Sequence, residues 1–130
     1  MTKTPVPDEV RRFILTSIPS VPFLEAVLLL RAEPDRGWTA AAIARRLYLP
    51  EARCAALISQ LVGAGVAQPQ QPGSTQPCSY GPASPELADM LERLAQRYTN
   101  DLMGVTDLIH SRMDKKAQQF ADAFRWRKDD

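Results

Sequence analysis

The stretch from Trp38 to Pro82 limits the fold more than any other part of the chain. Thr39 can cap a helix that carries Ala42, Ile43 and Leu47 on one side and Arg45 and Arg46 on the other. Tyr48-Leu49-Pro50 then makes a short turn, and the fixed φ of Pro50 suits the start of a second helix. That helix, from Glu51 to Val62, sets Cys54, Leu57, Ile58, Leu61 and Val62 at about 3.6-residue spacing. Gly63 and Gly65 can take the left-handed conformation that ends it. Val66-Ala67-Gln68 and Cys78-Ser79-Tyr80 read as the strands of a ribbon. Between them, residues 68–77 hold three prolines, four glutamines, a glycine, a serine and a threonine, with no charge.

The segments on either side read as supports. Met1 to Pro7 is expected to be a loose arm. Asp8 is placed to cap a first helix bearing Val10, Phe13, Ile14 and Ser17, ending before Pro19. Ser20 caps the next, with Pro22 in its first turn and a wide apolar face of Phe23, Leu24, Val27, Leu28 and Leu30. Glu33-Pro34-Asp35 stops it, because proline disfavours helical geometry in the residue before it.

After the cap-and-proline start Ser84-Pro85-Glu86, nothing strongly breaks a helix as far as Lys128. Leu91, Leu102, Met113 and Phe124 recur every eleven residues, as do Leu94 and Val105, and Tyr98, Ile109 and Phe120. An eleven-residue repeat keeps one apolar stripe along a nearly straight helix. Residues 85–127 would then reach on the order of 60 Å, further than one domain of this size can cover. The stripe therefore predicts a homodimer whose interface is Leu91, Leu94, Tyr98, Leu102, Val105, Ile109, Met113, Phe120 and Phe124. The alternative is a break near Asn100, with two shorter helices folded back on one protomer. Asn100 and Gly104 are the weak points, each about 1 kcal/mol poorer than alanine.

Sixteen basic and fifteen acidic residues leave a net charge of +1, so any grip on a polyanion must come from a local patch. Two cysteines without CxxC spacing, Cys54 and Cys78, argue against a disulfide framework or zinc site and suit a reducing compartment. The thiol of Cys54 is expected to be buried, whereas Cys78, next to Pro77, is expected in the exposed part of the ribbon. The N-terminal residues lack the pattern of a signal peptide, and the longest apolar run, Ala26 to Leu30, is too short to span a membrane. The expected location is the cytoplasm, without membrane contact. The single histidine, His110, has no partners at ligand spacing, and no phosphate loop, nucleophile elbow or HExxH is present. These absences predict a protein that is not an enzyme and holds no metal or cofactor.

In order, these elements (short strand at Trp38, helix, turn, helix, Gly stop, two-stranded ribbon) resemble the winged helix-turn-helix of bacterial transcriptional regulators. The resemblance covers about residues 20–82, and the overall layout is similar to MarR-like or PadR-like regulators. It implies a mostly α fold with a small β-ribbon wing and a long C-terminal helix. The expected division is an N-terminal arm and support helix (1–19), the winged helix-turn-helix (20–83) and a dimerisation helix (84–130). It also implies double-stranded DNA as partner, with the second helix of the motif in the major groove and the wing near the backbone or minor groove. On this chain the groove-facing positions would be Ala52, Ala56 and Ser59, flanked by Arg53, Ala55 and Gln60. The DNA-contact candidates are Arg45, Arg46, Arg53, Ser59 and Gln60, with Arg31 and Arg36 nearby.

This set departs from a strong reader of bases. Only Arg53 and Gln60 can engage two groups on a base edge, and the wing lacks Lys and Arg for phosphates. Segment 1–68 has eight basic and six acidic residues, a net of +2. The competing expectation is a winged helix used as a protein-protein interaction module, an adaptor or a regulator of another regulator. An alanine-lined helix face and a neutral wing suit an apolar partner. One basic face built from Arg45, Arg46 and Arg53 favours DNA. Interruption of that face by Glu51, Glu33 or Asp35 favours a protein. The tail Phe124-Arg125-Trp126-Arg127-Lys128 reads as a helix end whose cations oppose the negative end of the dipole.

Overall fold

Side-chain caps set where most of the helices begin. A computed structural model describes residues 6–111, and in it Ser20, Thr39 and Ser84 each accept the amide three residues on. The bonds, from Phe23 at 3.2 Å, Ala42 at 3.2 Å and Leu87 at 3.1 Å, satisfy donors that a helix start otherwise leaves open. The elements are α1 (Asp8–Ser17), α2 (Val21–Ala32), α3 (Ala40–Leu47), α4 (Glu51–Gly63), β1 (Ala67–Pro69), β2 (Cys78–Tyr80) and α5 (Pro85–Asn100), followed by α6 over residues 102–111. The first cap differs from expectation. Pro7 occupies the N-cap of α1 and Asp8 lies inside its first turn, where its carboxylate opposes the helix dipole without bonding an amide.

The core gathers around α2. Phe23, Leu24, Ala26, Val27 and Leu30 are all buried, so this helix is apolar around most of its circumference and serves as the pillar for α3, α4 and β2. From α1 come Val10 and Ile14, from α4 Cys54, Leu57, Ile58 and Leu61, and from α5 Leu91 and Leu94. Each large aliphatic side chain buried in this way contributes roughly 1.5–3 kcal/mol. α1 and α5 pack together.

β1 and β2 form an antiparallel pair with Ala67 opposite Tyr80, Gln68 opposite Ser79 and Pro69 opposite Cys78. Gly65, at φ +78°, turns the chain from α4 into β1, while Gly63 remains helical. On its other edge β2 meets Trp38, which donates to the Cys78 carbonyl at 2.7 Å and accepts from the Cys78 amide at 3.0 Å. Cys78 is thereby enclosed, contrary to the exposed position expected from its neighbour Pro77.

The C-terminal region requires the largest correction. The continuous helix expected over 84–130 is broken at Asp101, whose backbone leaves helical geometry (φ −146°, ψ 66°). The Asp101 carboxylate accepts the Gly104 amide at 3.0 Å and so caps a new helix, the local competition with the helical ladder that aspartate is suited to provide. The redirected α6 turns Val105 and Ile109 into the same core as Leu91 and Leu94, and all four are buried. Four of the nine expected interface residues are therefore occupied within one protomer. Tyr98 is half-buried against the core, and Leu102 is exposed. Met113, Phe120, Phe124 and the tail lie outside the described residues.

Candidate functional site

The outer surface of the α3–turn–α4 unit collects the residues singled out by sequence. Arg45, Arg46, Arg53, Ser59 and Gln60 are all exposed, as are Ala52 and Ala56, while Ala55 is half-buried against the core. The opposite side of α4 is anchored by Cys54, Leu57, Ile58 and Leu61, which fixes the direction of the polar side chains.

The arginines divide into two kinds. Arg46 lies 3.3 Å from the Glu33 carboxylate, and Arg36 reaches the same carboxylate at 3.5 Å. Both guanidinium groups also stand over the Trp38 ring, at 4.2 Å for Arg36 and 5.7 Å for Arg46. These two cations, held by Glu33, close the core over a fully buried indole. The contact is favourable through the ring quadrupole by about 0.5–1 kcal/mol where solvent still reaches it. Arg31 is turned elsewhere, onto Glu92 of α5. Arg45 and Arg53 have no ion-pair partner among the described residues. The basic patch is thus two free cations, one on the last turn of α3 and one on the first turn of α4, with Glu51 exposed beside them.

The ribbon loop is tied to this unit. Gln76 accepts the Ala40 amide at 2.8 Å at the start of α3, and the Gln70 amide donates to the Pro77 carbonyl at 2.9 Å. Residues 70–75 project outward, exposed and uncharged.

Sequence reasoning missed Tyr48 as a surface residue. It is the C-cap of α3 in the left-handed region (φ 57°, ψ 45°), and it is the non-glycine residue among those described that has a positive φ. A side chain there costs about 1 kcal/mol relative to glycine. The ring is 92% exposed. The available signal was the absence of Gly or Asn where α3 must end.

Elsewhere the chemistry is sparse. Burial pushes the thiols of Cys54 and Cys78 up, away from the thiolate form that reacts with oxidants. Among the described residues no group of three His, Cys, Asp or Glu side chains is arranged to hold a metal ion. A cavity of about 350 Å³ between α1, α5 and the end of α4 is lined by Phe13, Ile18, Phe23, Val66, Leu87 and Leu91, with Thr16 and Ser17 as its polar members. No helix among the described residues is long and apolar enough alone to cross a membrane.

Compared with protein-family models, characterised proteins and solved structures, the chain matches none.

Proposed function

We propose that the chain is a winged helix-turn-helix regulator that binds double-stranded DNA. In this reading α3 and α4 are the helix-turn-helix, α4 enters the major groove, and the β1–β2 ribbon is the wing. The observation that carries it is the pair of free arginines, Arg45 and Arg53, flanking the turn ahead of an α4 whose outer side shows Ser59 and Gln60. Ser59 and Gln60 supply hydrogen-bonding groups for base edges, and the arginines supply charge for phosphates. Two such contacts give only a shallow salt dependence, a slope of about −2 in log affinity against log salt. The reading includes a second copy that doubles the contacts. With Leu91, Leu94, Val105 and Ile109 taken into the core, Leu102 and Met103 at the start of α6 (51% and 60% exposed) are, among the described residues of this region, the exposed large apolar side chains open to it.

A second reading, a protein-protein interaction module, is favoured by two specific features. Glu33 neutralises Arg46 and Arg36, and the wing carries no cation. Fluorescence anisotropy of a labelled random duplex at 50 and 200 mM salt separates the two. DNA binding predicts salt-sensitive association that Arg45→Ala with Arg53→Ala abolishes. No association of the unaltered protein even at the lower salt leaves the interaction module standing.

A further inference from the structure

The turn between α3 and α4 holds a residue that does nothing for the fold in which it sits. Tyr48 occupies a backbone conformation that glycine adopts without strain. Its ring is almost wholly exposed, and its hydroxyl has no partner among the described residues. Leu49, its neighbour, is half-buried on the core and accounts for the packing of the turn. The Tyr48 amide, bonded to the Ala44 carbonyl, ends α3 in a way that any residue other than proline reproduces. A phenol thus stands at a position where the backbone favours glycine, as expected of a side chain that acts on something outside the protein.

Its surroundings identify that partner. Arg45 lies three residues before it and Arg53 five residues after it, both exposed and without an ion-pair partner among the described residues. The turn also leads directly into the first turn of α4, the positive end of the helix dipole. A phenol hydroxyl on a turn that lies in sequence between two exposed arginines and leads into a helix N-terminus is suited to donate to an anionic oxygen, with Glu51 in that first turn as the one opposing charge. We infer that Tyr48 donates its hydroxyl to a backbone phosphate of double-stranded DNA at the edge of the groove occupied by α4. It fixes the register of that helix while Arg45 and Arg53 supply charge. This rests on the DNA-binding reading and adds to it a residue that carries position rather than charge.

The test uses the full chain with Tyr48→Phe and Tyr48→Gly, a labelled duplex and thermal melting. Tyr48→Phe keeps ring and backbone but loses the donor, and its duplex affinity is expected to fall about tenfold at unchanged melting temperature. Tyr48→Gly is expected to lose at least as much affinity while melting at or above the unaltered protein, which separates the loss from misfolding. If the unaltered protein binds duplex and both variants bind equally well, the inference is overturned while the DNA reading survives. Variants that bind duplex normally but lose a protein partner overturn it too, and assign Tyr48 to a protein surface. If the unaltered protein binds no duplex, the underlying reading fails first and takes the inference with it.

Discussion

Trp38 and Cys78, forty residues apart, exchange a reciprocal pair of backbone hydrogen bonds at 2.7 and 3.0 Å. This pairing joins the residue ahead of α3 to the second strand of the ribbon, so the ribbon and the α3–α4 pair share one anchored frame. The Trp38 indole is buried below it, with Arg36 and Arg46 over its ring. Replacement by alanine removes the largest buried side chain of the core and is expected to cost about 3–5 kcal/mol. Trp38→Phe should cost less, because it refills most of the space and removes an indole N–H that has no hydrogen-bond partner among the described residues. Urea denaturation followed by circular dichroism checks the order. Equal stability of Trp38→Ala and the unaltered protein would refute this packing.

Asp101 should be sensitive to substitution in a way that depends on the oxygen acceptor. Asparagine keeps an acceptor for the Gly104 amide and alanine does not, so Asp101→Ala is expected to be about 1 kcal/mol less stable than Asp101→Asn. Both lose the charge opposite Arg97, which lies 3.6 Å away, so their difference reports on the oxygen acceptor rather than on the charge. Denaturant midpoints of the two variants at one pH provide the measurement. A continuous helix through this position reverses the expectation, since alanine is the better helix former.

The Arg31–Glu92 pair ties α2 to α5 and gives folding a specific acid dependence. Hydrogen bonding to Arg31 holds the Glu92 carboxyl below its ordinary range. A carboxyl depressed in the folded state contributes stability above its unfolded pKa, and that contribution is lost as pH falls through the folded value. Glu92→Gln is therefore expected to be less stable than the unaltered protein at neutral pH, with the gap closing as pH falls below the usual glutamate range. The effect is small because both side chains are partly solvated. Denaturation midpoints taken from pH 7 downward check it, and a gap that widens on acidification contradicts it.

The parts of the fold legible in the sequence were those decided by local chemistry. Ser20, Thr39 and Ser84 begin helices where hydroxyls precede apolar periodicity, and the prolines and Gly65 end elements where backbone geometry demands it. The loop of the ribbon was readable from residues 68–77, because proline, glutamine and glycine leave little else to form. Two features escaped, one because it depends on a distant residue and one because two local outcomes were compatible with the same pattern. Cys78 is buried through its pairing with Trp38, which no neighbouring residue announces. The eleven-residue stripe is equally consistent with a rod and with two helices on one core, and the cap made by Asp101 decides between them. Within the site, exposure of Arg45, Arg53, Ser59 and Gln60 followed from helical spacing. The diversion of Arg46 to Glu33 and Trp38 is a tertiary contact that spacing does not contain.

The most direct measurement is a titration of isotopically labelled protein with a short random duplex, followed through backbone amide shifts at low salt. DNA binding through this surface predicts perturbations concentrated on residues 45–60, the end of α3, the Tyr48 turn and α4, and fading as salt is raised. Perturbations confined to α1, α5 and α6, or an unchanged spectrum at saturating duplex, would contradict it.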